Sequence, residues 1–389
     1  MLLGLRLAFL LATATLLQSQ RQHRDLAYDQ QDDGGGGGGS TATASGTEHL
    51  VRTVDLPEGA PRTLSFLVNT DTVAIDYDAR TDAAAAVAPT CAKYALSAAD
   101  CAELQRHLGS HVRHEAAAAH IMAMPPWHNA SSLRRAPPYL DLLKRVLVNS
   151  IYGASGGDNR DGGGHLGVPA DAHTMIGLPM LANLQFCLED ALLRQVPGHV
   201  LETGVWRGGA SIFARGLLRE YGVSDRTVYA ADSFAGLPPP AAAYPVDKVD
   251  LSYTQAGLAV SLKEVRANFG KYGLLDGQVV FVKGFFEATM PALAARWGSG
   301  EGGGEGGAGG SVHDGKLAVL RMDGDMYGST WVVLQHMYER VSAGGFVIID
   351  DYCLRTCRMA VLDFRERFNI TAPIWKADWC GVYWQKPPS

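Results

Sequence analysis

"KLAVLRMDGDMYGSTWVVLQHMYERVSAGGFVIIDDY", Lys316 to Tyr352, is the stretch on which the fold turns. An apolar run ends in Asp323-Gly324-Asp325. The segment Ser329–Val341 then has helical character, and a second apolar run ends in Asp350-Asp351. Short runs of Val, Ile and Leu separated by a helix predict parallel strands buried on both faces. In such a sheet ligands bind outside the carboxyl ends of the strands. Both acidic pairs fall there.

The alternation continues outward from this stretch. "GHVLETGVWRGGAS", from Gly198, reads as a strand, a glycine-rich turn and the start of a helix ending near Tyr221. "TVYAADSFAG" and "QVVFVKGFF" supply two more strands. "YLDLLKRVLVNSIYG", with apolar residues at Leu140, Leu143, Leu147 and Ile151, and "LPMLANLQFCLEDALL" are helices by their period. After the second acidic pair come the helix "CRMAVLDFRERFNI" and two short strands in "APIWKADWCGVYWQK". Residues 138–387 therefore form one α/β domain.

The remainder is organised differently. Residues 1–20 are apolar from Leu2 to Leu17, the length of a signal-peptide core and short of the ~20 residues a membrane span needs. A signal peptide or short signal anchor is expected there. It would direct the chain to the secretory pathway, to the Golgi lumen or to export; import into an organelle is the alternative. Residues 21–47, with "GGGGGGS", read as a linker. Residues 48–112 read as a small α+β module of two strands and two helices, the second helix capped by Ser97. Residues 113–137 read as a connector, and Gly298–Ser311, "GSGEGGGEGGAGGS", as a disordered insertion.

Composition excludes some functions. The chain of 389 residues is 47% hydrophobic and carries a net charge of −6, with no Lys/Arg block. Nucleic acid, which demands a basic face, is not an expected partner. The six cysteines include no Cys-x-x-Cys pair, so zinc-ribbon and thioredoxin-like sites have no support. Cys91 and Cys101 can bridge in an oxidising compartment, whereas Cys353 and Cys357, four apart on a helix, can do so only with strain. Asn129-Ala-Ser131 and Asn369-Ile-Thr371 are glycosylation sequons.

Three strand ends carry cofactor chemistry. In Glu202-x-Gly204-x-x-x-Gly208-Gly209 the glycines let backbone approach a ligand at a helix N-terminus. A dinucleotide would seat its pyrophosphate on that helix, but Glu202 suits the cationic methionine end of S-adenosylmethionine better. Asp232, ending the second strand, is placed for ribose hydroxyls. Gly284, Phe285 and Phe286 follow the third strand and can line an adenine pocket.

The acids at the fourth and fifth strand ends, Asp323, Asp325, Asp350 and Asp351, would meet at one edge of a cleft and repel one another. A hard divalent cation such as Mg²⁺ removes that cost. Helix capping is the competing explanation, and Asp325 stands just before Ser329-Thr330.

With these motifs assembled, "AHTMIGLPMLANLQ", "VLETGVWRGGASI", "ADSFAGLPPP", "LRMDGDMYGST" and "GGFVIIDDY…CRMAVLDFR" together resemble the macrocin O-methyltransferase (TylF-type) family. The resemblance implies a Rossmann-like class I methyltransferase: a mostly parallel seven-stranded sheet with an antiparallel C-terminal strand. It implies methylation of a sugar or glycoconjugate hydroxyl, with S-adenosyl-L-methionine and Mg²⁺ as cofactors and a small-molecule or glycan acceptor as partner; a homo-oligomer is compatible with it. By motif position it implies Asp325, Asp350 and Asp351 as metal ligands and Asp325 as the catalytic base. It implies cofactor contacts from Thr174, Met175, Glu202, Thr203, Gly204, Val205, Trp206, Asp232 and Ser233, beside Gly284, Phe285 and Phe286. His173 is a rival base. A catalytically silent binding protein and an NAD-dependent oxidoreductase are the alternative functions.

Overall fold

The computed structural model describes residues 62–68, 71–78, 80–118, 137–151, 171–249, 252–298 and 313–387. The chain divides into two compact units, Met1–Ala119 and His120–Ser389. The leader, the linker, most of the connector and the glycine-rich insertion after Gly298 lie outside the described residues.

In the first unit, β1 (Arg62–Val68) and β2 (Asp71–Tyr77) form an antiparallel hairpin. It is followed by α1 (Ala83–Lys93) and α2 (Ala98–Ala118). Ile75, Tyr77, Val87, Leu104 and Leu108 are its buried core, and Cys91 is bonded to Cys101. Ser97 Oγ accepts from the Asp100 N–H while its hydroxyl donates to the Asp100 carboxylate, closing the first turn of α2. That helix runs six residues past Val112, into the stretch expected to be a connector, because "HEAAAA" carries no breaker.

The second unit is the α/β domain. Before the sheet come α3 (Pro138–Leu147) and α4 (Leu178–Leu193). Then follow β3 (His199–Thr203), α5 (Gly209–Glu220), β4 (Val228–Asp232), α6 (Leu262–Lys271), β5 (Val279–Lys283) and α7 (Phe286–Gly298). The chain closes with β6 (Leu317–Met322), α8 (Tyr327–Met337), β7 (Val341–Ile349), α9 (Arg355–Arg367), β8 (Trp375–Lys376) and β9 (Val382–Gln385). The stripe read through Ile151 stops sooner: α3 ends at Leu147, Asn149 turns the backbone at φ 54°, and Ile151 is exposed.

Among the described residues the sheet has seven strands in the order β5-β4-β3-β6-β7-β9-β8. β5 through β7 are parallel, and β9 runs antiparallel to both of its neighbours. Alternate residues feed two cores. Val200, Val228, Ala230, Val319, Phe346 and Ile348 pack with α3, α4 and α5. Leu201, Tyr229, Ala231, Leu320, Val347 and Ile349 pack with α7, α8 and α9. Period-two burial against helices on both faces is why these strands read as unbroken apolar runs.

The order reverses between β3 and β6: the chain moves outward through β4 and β5, then returns to the far side of β3. The crevice at this switch point is where an open α/β sheet binds its ligand.

Candidate active site

The cleft at the carboxyl ends is lined by Met175, by Gly204 and Trp206 after β3, and by Asp232, Ser233, Gly236, Leu237 and Pro238 after β4. Leu258 follows, then Phe285, Phe286 and Glu287 after β5, and Asp323, Gly324, Asp325 and Ser329 after β6.

The turn after β3 is tight for a steric reason. Gly204 has φ 86°, and a Cβ there would lie 1.6 Å from the Asp323 carbonyl oxygen. The Asp323 N–H donates to the Thr203 carbonyl at 2.8 Å, so the cofactor turn and the acidic loop share one seam. Asp232 braces the turn from the other side. Its Oδ2 accepts from the Val205 N–H at 2.8 Å and its Oδ1 from the Phe234 N–H at 2.6 Å. Burial raises the Asp232 pKa against those hydrogen bonds.

The acids do not gather as the motif positions implied. Carboxylate oxygens of Asp323, Asp350 and Asp351 lie within 4.8 Å of one another. Asp325 stands beside this group: it lines the cleft, holds φ 54°, and its backbone N–H donates to Asp351 Oδ2 at 2.9 Å. The backbone reverses at Asp325, so it is the other carboxylate of the Asp-Gly-Asp turn that faces the next strand end. Burial, then Asp350 and Asp351, pushes the Asp323 pKa well above the carboxylate range. Three clustered carboxylates are hard oxygen donors suited to Mg²⁺.

Capping does not explain the acids. The first N–H groups of α8, those of Tyr327 and Gly328, donate to Asp247 Oδ1 at 2.7 Å and Oδ2 at 2.9 Å. Asp247 is buried and lies some eighty residues upstream; no local signal marked it. Asp247, not Asp325, is the acceptor for those two groups.

Glu202 departs furthest from expectation. It does not line the cleft but is buried, with Oε1 on Arg321 Nη1 at 2.5 Å and Oε2 accepting from the Ser211 hydroxyl. Arg321, 2% exposed, also places Nη2 at 3.0 Å from Asp323 Oδ2 and 2.8 Å from Asp350 Oδ1. A guanidinium thus joins the cofactor turn to two of the clustered acids. Burial works against its charge, but Asp350, Asp323 and Glu202 more than offset that and hold its proton on. The signal for Arg321 was present: a cation inside a buried parallel strand requires buried anions.

Of the other expected contacts, Met175, Trp206, Ser233, Phe285 and Phe286 line the cleft. Thr203 and Val205 are buried, the Thr203 hydroxyl donating to the Arg321 carbonyl and the Val205 N–H to Asp232; Thr174 is buried with Oγ1 accepting from the Ile176 N–H, and Gly284 donates its N–H to the Asp232 carbonyl. His173 is no base for this cleft. Its Nδ1 meets the Tyr272 hydroxyl at 2.7 Å, its Nε2 meets Lys271 Nζ at 3.4 Å, and it does not line the site. Behind the acids, Cys353 is bonded to Cys380 rather than to Cys357, which is a buried free thiol. Nothing local marked a partner 27 residues away on the β8–β9 turn.

Strand order, the glycine turn at the switch point and the acids facing it define a class I methyltransferase. The family profile Macrocin-O-methyltransferase (TylF) matches residues 154–297 and 310–386, more than half of the chain, which therefore belongs to that family. Mycinamicin III 3''-O-methyltransferase of Micromonospora griseorubida is 47% identical over 264 residues, 64% of this chain and 96% of that protein. A Streptomyces olivaceus enzyme named 8-demethyl-8-(2,3-dimethoxy-alpha-L-rhamnosyl)-tetracenomycin-C 4'-O-methyltransferase is 45% identical over 260 residues, 64% of this chain and 92% of its own. The solved O-methyltransferase NovP aligns with TM-score 0.56 and 42% identity over 64% of this chain and 98% of its own. The chain is an O-methyltransferase.

Proposed function

We propose that the enzyme methylates a hydroxyl of a sugar or glycoconjugate, using S-adenosylmethionine and a Mg²⁺ ion held by Asp323, Asp350 and Asp351. The observation that carries this reading is the seam at Gly204, which sets a cofactor turn against a cluster of hard oxygen donors in one cleft. The relative from Streptomyces olivaceus is named for a rhamnosyl-bearing substrate, which supports a sugar acceptor.

When bound, the cofactor supplies an electrophilic methyl group and the cation lowers the pKa of the acceptor hydroxyl. The chain's residues supply placement, from which in-line displacements gain most. Gly204 admits the cofactor close to backbone, Asp232 offers its carboxylate to ribose hydroxyls, and Phe285 and Phe286 line the cleft where adenine would lie. Asp325, in the cleft but outside the clustered three, accepts the hydroxyl proton, a contribution worth ~10²–10⁴-fold.

We also infer an oxidising compartment. Disulfides Cys91–Cys101 and Cys353–Cys380 occur in both units, and Asn369 of the second sequon is exposed. This agrees with a secretory leader at residues 1–20.

The test is transfer of label from S-adenosylmethionine to a panel of glycosides and glycans, with and without EDTA. Transfer to a sugar hydroxyl, lost in EDTA and restored by Mg²⁺, is expected. Label confined to non-sugar acceptors would overturn the acceptor class, and full activity in excess EDTA would overturn the metal.

A further inference from the structure

The four acids at the ends of β6 and β7 pose a problem that a bound cation solves only while it is bound. The apo protein must still fold, and it must let the cation and its substrate exchange. Arg321 addresses both needs. It projects from the interior of β6, is 2% exposed, and divides one guanidinium among Glu202 Oε1 at 2.5 Å, Asp323 Oδ2 at 3.0 Å and Asp350 Oδ1 at 2.8 Å. Asp351, the third member of the cluster, has its Oδ2 on the Asp325 N–H instead.

We infer that Arg321 is a resident counter-cation that weakens and tunes Mg²⁺ binding at Asp323, Asp350 and Asp351, with Glu202 setting how much of its charge the acids feel. The inference rests on the Mg²⁺ reading above. A fixed positive charge within hydrogen-bond reach of two ligands opposes a divalent ion at those ligands. A carboxylate on the far side of the guanidinium offsets part of that opposition. Glu202 is so placed, its second oxygen held by Ser211. Because Glu202 belongs to the strand that leads into Gly204, Arg321 also ties metal affinity to the geometry of the cofactor turn. Arg321 touches neither substrate nor the reacting atoms, and is a positioning residue.

A purely structural ion-pair hub and a tuning cation differ in the sign of what their removal does. Losing a structural hub loosens the acids and weakens Mg²⁺ binding. Losing a tuning cation leaves the site more negative and tightens it. Glu202→Gln inverts the test. It keeps the shape and leaves Arg321 on Asp323 and Asp350, but removes the charge that tempered it, so Mg²⁺ should bind more weakly.

The experiment is titration of the purified full-length protein with MgCl₂ at constant ionic strength, read by calorimetry and by melting temperature, without cofactor or acceptor. Arg321→Met should melt lower than wild type in EDTA and bind Mg²⁺ on the order of tenfold more tightly. Glu202→Gln should bind several-fold more weakly. If Arg321→Met does not fold in EDTA, recovery of its fold at lower Mg²⁺ than half-saturates wild type supports the inference, and recovery only at higher Mg²⁺ overturns it. Glu202→Gln binding Mg²⁺ as well as wild type, or better, overturns it independently. Wild type that neither binds Mg²⁺ nor is stabilised by it overturns the metal reading itself. Wild type that binds, beside variants that shift the wrong way, overturns only the role of Arg321.

Discussion

Gly204→Ala tests the seam between the cofactor turn and the acidic loop. The substitution adds one carbon and meets two separate costs. Gly204 has φ 86°, a conformation an L side chain enters at about 1–2 kcal/mol. The new Cβ would also lie 1.6 Å from the Asp323 carbonyl oxygen and 2.7 Å from its carbonyl carbon. Those are backbone atoms, and no rotamer change can clear them. The turn has to back away from β6 by more than an ångström, straining the Asp323 N–H to Thr203 bond on the same seam. Overpacking of this kind costs about 1–3 kcal/mol and occasionally more. The two effects sum to about 2–5 kcal/mol, a fall in Tm of roughly 4–20 °C for a domain near this size.

Gly222→Ala is the internal control. Gly222 ends the α5 region with φ 67°, and a Cβ there would meet nothing within 4 Å. It carries the conformational cost alone, about 1–2 kcal/mol. The assay is thermal unfolding of both variants beside wild type, followed by calorimetry with S-adenosylhomocysteine. Gly204→Ala should melt well below Gly222→Ala and lose cofactor affinity, while Gly222→Ala keeps it. Equal melting temperatures would refute the steric account of the seam.

Three further outcomes follow from single contacts. Burial holds His199 down to about 4, so it stays neutral in the folded protein while the unfolded chain takes up its proton near 6.5. Stability should therefore fall as pH drops from about 6.5 toward 4, by about 3 kcal/mol over that window, and urea melts of His199→Gln should show a flatter acid limb. Asp247→Ala should cost about 1–2 kcal/mol in chemical denaturation, since Tyr327 and Gly328 lose the acceptor that caps α8, and Asp247→Asn should cost less. Cys353→Ser should remove about 2–4 kcal/mol by opening a 27-residue loop, and reductant, which opens Cys91–Cys101 in both proteins, should abolish the difference between wild type and variant.

The fold was legible because its cores are made of alternating strands. Each apolar run from Val200 to Ile349 places neighbouring residues in opposite cores, and each stops at a Gly or an acid that cannot enter them. One helix legible by period, α4, survived residue for residue, whereas the stripe read through Ile151 ended at Leu147. What failed were boundaries without a breaker, such as the extension of α2 past Val112, and pairings set only by tertiary approach, such as Cys353 with Cys380 and Asp247 with the start of α8.

The site was legible as a place more than as a set of roles. Acids at strand ends must meet in a parallel sheet, but which oxygens converge depends on one backbone reversal. In Asp323-Gly324-Asp325 that reversal occurs at Asp325, φ 54°, and sends Asp323 rather than Asp325 toward Asp350 and Asp351. The same limit explains Glu202. A carboxylate beside a glycine turn suits a cationic ligand, and its cation proved to be Arg321, from the neighbouring strand in register with it. Spacing along the chain cannot distinguish a charge that awaits a ligand from one already answered across the sheet. A charged residue inside an apolar strand is the observable that can, because it must be met by an opposite charge at that depth. Applied to "LAVLRMDGD", that rule predicts a buried anion beside Arg321. Glu202 stands opposite it on the adjacent strand, while Asp323 and Asp325 both line the cleft.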